Sequence, residues 1–291
     1  MGSSRLFQIG CLRKPYGGRG SSSRLFLQNG TGLGSPLYRW ETLQEQNYSW
    51  WIERLRTAFG RFDVSRLDHF IGFVRTYEVD AQAESAVGGQ YQHGGGASFF
   101  EAARKALGSL PLIADDLGAA TPEVVALMDQ FQIPDTRVLQ FEFESDLETN
   151  SAPSERRRVN SVAYTGTHDN DTTAGWYQKL PGTQQKALQK RLGTDDQGLV
   201  RAMIREALAS QADTAIIPAQ DLLELRSEAR MNTPGTAKGN WQWRLKDGAL
   251  TQEIAQRLRS MTITCERLGG AQPCAAPRRQ ENVTTPRIAN L

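Results

Sequence analysis

Four acidic residues carry the chemistry that this chain could do. Asp68 lies two residues after Arg66 and directly before His69; Asp115 is the first of two carboxylates that cap the apolar run Leu110–Asp116; Asp169 follows His168; Asp221 ends Thr214–Asp221. Each closes a short apolar segment with the length and β-branched character of a buried strand. Such strands deliver side chains to one edge of a parallel sheet, where carboxylates from different strands converge on one cavity. Residues i and i+2 of a strand point the same way, so Arg66 and Asp68 share a face. A guanidinium there holds the neighbouring carboxylate ionised. The same positions also suit plainer roles. Asp caps helix N-termini, and the sequence around Asp169–Asp171 fits an Asx-rich turn after a strand.

Two facing carboxyl groups, without a Cys/His set for a metal, point to glycosidic bond chemistry. A retaining mechanism pairs an ionised nucleophile with a protonated acid about 5–5.5 Å away. Asp68, beside Arg66, has the environment of the nucleophile. Asp115 follows Leu112-Ile113-Ala114, an apolar approach that would raise its pKa toward that of an acid. Aromatic residues near these segments, among them Tyr38, Trp50, Tyr77, Tyr91, Trp176 and Trp241, suit the apolar faces of sugar rings as well as a core.

The elements that must position these groups alternate. Helical spacing runs over Glu41–Phe59, Ser98–Leu107 and Pro122–Phe131, with Thr121 as N-cap and Pro122 at the first helical position. Gly182–Ala212 reads as one or two helices, and Leu222–Arg230 as another. Strands are expected in Asp63–Phe73, Leu110–Asp116, Thr136–Phe143, Ser161–Asp169 and Thr214–Asp221. Strands alternating with helices make a parallel sheet with right-handed crossovers, hence an α/β fold.

Composition narrows the class. Over 291 residues, hydrophobic content is 39%, charged content 23% and the net charge +2. That suits a globular protein and gives no field that would favour nucleic acid. No apolar run is long enough for a membrane span. The three cysteines, Cys11, Cys265 and Cys274, lack metal-ligand spacing, and their odd number fits a reducing compartment rather than a disulfide framework. Residues 1–31 are basic, Ser-rich and free of acid, and read as a disordered tail or a mis-assigned start, with a transit peptide as the other reading. Residues 32–260 hold the periodic part. Residues 261–291 lose periodicity and read as a disordered tail.

The motifs together are specific. SPLYRW (35–40), YSWWIERLR (48–56), SRLDHFIGF (65–73), LPLIADDLGAATPEV (110–124), RVLQFEF (137–143), YTGTHDNDTTAGW (164–176), PAQDLL (218–223) and RMNTPGTAKGNWQWR (230–244) span about 210 residues. In that order they resemble the catalytic half of the 4-alpha-glucanotransferases (amylomaltase or disproportionating enzyme) of glycoside hydrolase family 77. The resemblance implies a (β/α)8 TIM barrel, here incomplete, with about five C-terminal strand–helix units. It implies transfer of alpha-1,4-glucan segments to glucose or a malto-oligosaccharide by double displacement, with no cofactor and no partner beyond these glucans. Asp68 then matches the nucleophile, Asp115 the general acid/base and Asp169 the carboxylate that holds sugar hydroxyls. Arg66 and His168 match the flanking residues that contact nucleophile and sugar, and Tyr91 the aromatic of a substrate-binding loop. A cytoplasmic setting is implied, or a plastid if the basic N-terminus is a transit peptide.

The chain departs from that pattern. Asp115 stands where the family has Glu, one methylene shorter; Ile71 replaces an Arg; Gly94-Gly95-Gly96 replaces a Gly-Pro-Gly loop; Tyr91 replaces Trp. The segment expected to carry the first three barrel strands is absent. Two further readings follow: a catalytically degenerate or truncated glucan-binding protein, and a hydrolytic enzyme like alpha-amylase.

Overall fold

The computed structural model describes residues 7–8, 11–12, 37–79, 89–116, 121–149, 159–267 and 288–290. It divides into two compact units. Unit 1 comprises residues 1–136 and 284–291, and unit 2 comprises residues 137–283.

In unit 1, strands β1 (Phe7–Gln8) and β2 (Cys11–Leu12) precede β3 (Leu37–Tyr38), α1 (Trp40–Glu45) and α2 (Ser49–Phe59). Strand β4 (Val64–Leu67) leads into a 3-10 turn at Phe70–Phe73, then a hairpin of β5 (Arg75–Val79) and β6 (Gln90–His93). Helix α3 (Gly96–Leu107), β7 (Leu112–Ala114) and α4 (Pro122–Phe131) follow. β4 and β7 pair in parallel, with Ser65 opposite Leu112, Arg66 opposite Ile113 and Leu67 opposite Ala114. β11 (Ile288–Asn290) adds to the other edge of β4, also in parallel. β1 pairs antiparallel with β3, and β2 with β5. The short strands at 7–8, 11–12 and 288–290 lie inside the stretches that the sequence sets apart as tails, most of which is outside the described residues.

The core of unit 1 is aromatic. Trp51 and Leu55 of α2, Phe70 and Phe73 of the turn, Phe99, Phe100 and Ala103 of α3, and Met128 and Phe131 of α4 are buried together. Phe73 stacks on Phe99 with ring centroids 5.1 Å apart, and Phe70 on Phe100 at 5.5 Å. Offset ring pairs add about 0.5–1.5 kcal/mol each beyond area burial. They fix the turn after β4, and so fix where Asp68 sits. The glycine run joins this core by close approach: a Cβ on Gly94 would meet the Phe73 carbonyl oxygen at 2.3 Å, and one on Gly95 the Trp40 ring at 2.7 Å.

Unit 2 begins within strand β8 (Asp135–Val138), followed by α5 (Leu139–Thr149), β9 (Ser161–Tyr164), α6 (Thr173–Lys179), α7 (Gly182–Leu192) and α8 (Leu199–Ala209). β10 (Thr214–Ile216), α9 (Ala219–Leu222) and α10 (Gln252–Thr264) complete it. The strand order is β10-β9-β8, and β9 and β10 run parallel, with Ala163 opposite Ala215. Helix α8 is apolar on two faces, as its spacing dictates. Leu199, Met203 and Ala207 pack with Leu139, Phe143, Trp176 and Leu188. Val200, Ile204 and Leu208 pack with Leu222, Leu258 and Met261. α10 therefore runs across position 260, where the sequence reading sets a boundary.

Three expected elements differ. In Asp63–Phe73 the strand stops at Leu67, and Phe70–Phe73 is a 3-10 turn packed into the aromatic core. Thr136–Phe143 is not one strand: the strand ends at Val138 and helix α5 starts at Leu139. Leu139, Phe141 and Phe143 alternate like a strand, but Leu139, Phe143 and Leu147 also recur at helical spacing, and packing on Trp176 and Leu188 decides for the helix. The expected helix Leu222–Arg230 is a turn with a short 3-10 segment at Ser227–Ala229. Among the described residues, no helix is long and apolar enough to cross a membrane.

Candidate active site

Register places the first pair of carboxylates. Leu67 and Ala114 are partners on adjacent parallel strands, so Asp68 and Asp115 leave the sheet side by side. The backbone stitches the two exits together: the Asp115 N–H donates to the Leu67 carbonyl at 2.9 Å, and the Phe70 N–H to the Asp115 carbonyl at 2.9 Å. Between them His69 takes a left-handed backbone at φ 51, ψ 53, and its N–H points at Asp115 Oδ2, 3.5 Å away. A non-glycine residue in that region is uncommon and marks a turn held by its surroundings.

Arg66 grips the other carboxylate more closely than the sequence implies. Its guanidinium is 2.8 Å from Asp115 Oδ2 but 3.7 Å from Asp68 Oδ1. The Asp115 side chain is 15% exposed and that of Asp68 is 64% exposed. Burial raises the Asp115 pKa, as the apolar approach suggests. A hydrogen bond with the Asp68 carboxyl, the Arg66 charge and its hydrogen bond, and the His69 N–H outweigh it, and the net shift is downward. The expectation of a raised Asp115 pKa is therefore corrected. The reason is non-local: the partner that Arg66 finds across the register is one that i, i+2 spacing does not show.

The carboxyl whose pKa burial does raise is that of the next residue. Asp116 is buried and its pKa is pushed up to about 7, chiefly by burial and then by the charge of Asp135, against the lowering effect of the Thr136 N–H. That N–H donates to Asp116 Oδ1 at 3.2 Å, and the Thr136 hydroxyl donates to the Ala114 carbonyl at 2.8 Å. The doublet Asp115-Asp116 is visible in the sequence, but not that its second member turns inward.

Tyr91 lies on the exposed hairpin of unit 1, opposite Tyr77 in the register. It is 43% exposed, its ring is 5.2 Å from that of Tyr77, and the Arg75 guanidinium lies 4.7 Å from its ring centre. A fixed, half-bare aromatic ring of this kind suits the apolar face of a sugar.

In unit 2, His168 and Asp169 follow β9 by a short turn. Asn170 closes the turn, its Oδ1 accepting from the Thr167 N–H at 2.9 Å and the Thr167 hydroxyl at 2.8 Å. His168 Nε2 is 3.5 Å from Asp169 Oδ1. Two residues that spacing does not reveal fix Asp169: Asn232 Nδ2 donates to its Oδ1 at 2.6 Å, and Arg230 donates to its carbonyl at 2.7 Å. The Asx-rich turn and the half-exposed acid are both present, so the two readings of this stretch are compatible.

Asp221, the fourth strand-end acid, has another role. It is 2% exposed and sits on α9 rather than at the end of β10. It accepts from the Thr165 hydroxyl at 2.5 Å and from the Thr173 N–H and hydroxyl at 2.8 and 2.7 Å. It ties the end of β9 to the start of α6. Burial raises its pKa, against these hydrogen bonds. Among the described residues, no group of three or more His, Cys, Asp or Glu is placed to hold a metal ion.

Comparison with known proteins bears on this arrangement. The sequence profile of glycoside hydrolase family 77, 4-alpha-glucanotransferase, matches residues 7–252. A 4-alpha-glucanotransferase of Thermus thermophilus is 41% identical over 253 residues, covering 84% of this chain and 50% of that protein. One of Synechocystis is 42% identical over 239 residues, covering 81% of this chain and 47% of the relative. The chloroplastic/amyloplastic enzyme of Solanum tuberosum is 39% identical over 247 residues, covering 84% and 43%. Among solved structures, the amylomaltase of Streptococcus agalactiae, in complex with acarbose, superposes with a TM-score of 0.76 at 28% identity, over 90% of this chain and 51% of that one. The chain thus spans about half the length of the relatives it matches.

Proposed function

The chain belongs to the 4-alpha-glucanotransferase family, glycoside hydrolase family 77, and from that premise we propose that it acts on alpha-1,4-glucans as a glucan-transferring enzyme. Its parallel strands are read as part of a (β/α)8 barrel. Asp68 attacks the anomeric carbon, the glycosidic oxygen leaves with a proton from Asp115, and a covalent glycosyl ester forms on Asp68. An acceptor sugar hydroxyl then gives its proton to Asp115 and takes the glycosyl unit, which restores both groups. In this reading Asp169 and His168 hold sugar hydroxyls, Arg66 orients the carboxylate pair, and Tyr91 contacts the glucan chain. The glucan substrates and a cytoplasmic or plastid setting belong to the same proposal.

The observation that carries it is the register of β4 and β7, with Leu67 opposite Ala114, which sets Asp68 beside Asp115. Asp68 is the more exposed of the two, as an attacking group must be. The test is incubation of the 291-residue chain with maltotriose alone. Transfer gives both shorter and longer malto-oligosaccharides without a rise in reducing ends; hydrolysis raises reducing ends; no products at all overturns the enzymatic reading.

A second reading is supported by the Arg66–Asp115 contact at 2.8 Å. A carboxyl held ionised makes a poor acid. In that reading the chain binds glucan without turning it over, and the maltotriose mixture stays unchanged while binding persists.

A further inference from the structure

Trp241 is a large aromatic side chain left 52% exposed. Its ring stands 5.1 Å from that of His168 at an angle of 36°, and His168 in turn contacts Asp169. Its backbone is held in the left-handed region, at φ 61. For a bulky residue that conformation is unfavourable and persists only when neighbours impose it. The neighbours are evident. The Trp241 N–H donates to the Met231 carbonyl at 2.7 Å, and the Asn232 N–H to the His168 carbonyl at 3.1 Å. Asn240 closes the loop behind it, its Oδ1 accepting from the Thr233 N–H at 2.8 Å and its Nδ2 donating to the Thr236 carbonyl at 2.9 Å. The Arg244 guanidinium donates to the carbonyls of Trp241 and Trp243, both at 2.8 Å. A strained, well-fixed backbone thus presents an indole to solvent, where it forfeits the burial that normally stabilises it.

We propose that Trp241 is a sugar-stacking residue of unit 2: its exposed face takes the apolar face of a glucose unit of an alpha-1,4-glucan, beside the hydroxyl-binding groups of His168 and Asp169. The chemistry is complementary. A pyranose presents C–H groups on its faces and hydroxyls around its rim. Here an aromatic plate and a carboxylate, the latter held by Asn232 Nδ2 at 2.6 Å, are joined through one imidazole. A fixed aromatic adds affinity at little entropic cost, because nothing must be ordered when the sugar arrives. The inference rests on the glucan-binding reading above.

The test uses the whole chain labelled with 5-fluorotryptophan, whose six tryptophans give separate fluorine resonances. The Trp241 resonance is the one missing from Trp241→Phe. Titration with maltoheptaose is expected to move it saturably, and calorimetry should find binding about tenfold weaker in Trp241→Ala, on the order of the worth of one aromatic stack. Trp241→Phe should recover most of that loss. A Trp241 resonance that stays still while the wild type binds maltoheptaose overturns the proposal and leaves the glucan-binding reading intact, as does unchanged affinity in Trp241→Ala. A wild-type chain that binds no maltoheptaose at all overturns the parent reading, and this one with it. If Trp241→Ala fails to fold, by circular dichroism, the resonance shift in the wild type decides alone.

Discussion

Replacing Asp116 with Asn removes a titration from the buried side of unit 1 while keeping an acceptor for the Thr136 N–H. The native pKa of Asp116 is about 7, against 3.8 for the free side chain. The folded state therefore binds a proton more tightly than the unfolded state does. Stability from this group is fully present below the unfolded pKa, near 4, and is lost as pH rises through the folded pKa, near 7. The window is roughly three pH units at about 1.4 kcal/mol each, so full ionisation costs at most about 4 kcal/mol. Asp116→Asn has no proton to lose. Urea unfolding at pH 4, 5.5, 7 and 8.5 should give equal stabilities for variant and wild type at pH 4. The variant should gain a growing advantage up to about pH 7, with a plateau beyond. Asp135→Asn should shift the wild-type midpoint downward, because the Asp135 charge is the second cause of the shift. A difference between Asp116→Asn and wild type that does not vary with pH would show that Asp116 does not titrate with a raised pKa in the folded chain.

Two further outcomes are expected. Asp115→Glu lengthens the proposed acid by one methylene and should raise transfer from maltotriose, where general acid catalysis is worth about 10²–10⁴-fold; it should gain much less on alpha-glucosyl fluoride, whose leaving group needs little protonation, and equal gains on both would remove Asp115 from the proposed acid role. Arg267→Ala should cost about 2–3 kcal/mol in chemical denaturation, because that guanidinium donates to the carbonyls of Leu208, Ser210 and Ala212 at and beyond the end of α8; an unchanged midpoint would count against that cap.

What the sequence revealed follows from how local each signal is. The strands at Leu112–Ala114, Ser161–Tyr164 and Thr214–Ile216 lie in short, mainly apolar runs and are legible inside longer expected strands; Val64–Leu67 carries Ser65 and Arg66 and covers only the first part of the Asp63–Phe73 stretch. Periodicity alone does not divide Gly182–Ala212, and the structure separates α7 from α8 after Leu192. The α5 stretch carries two periods at once, so only packing could choose between them. The hairpin β5–β6 has side chains exposed along all of β6 and hence no buried face to announce it. In the candidate site, Asp68, Asp115 and Asp169 stand out as acids that close apolar stretches, and Arg66 and His168 as basic residues within two positions of one of them. The preference of Arg66 for Asp115, the inward turn of Asp116 and the fixing of Asp169 by Asn232 depend on residues 46 or more positions apart, or on which face a strand buries. No spacing rule reaches those.

In the proposed mechanism Asp68 is the residue that takes the glycosyl unit. A 5-fluoro-alpha-glucosyl fluoride tests it directly, because its good leaving group permits ester formation and its ring fluorine slows the second step. Mass spectrometry of the digested chain should find one glycosyl adduct, on the peptide carrying Asp68, and none in Asp68→Asn. No adduct on the wild-type chain, or an adduct on any other peptide, would remove Asp68 from the nucleophile role.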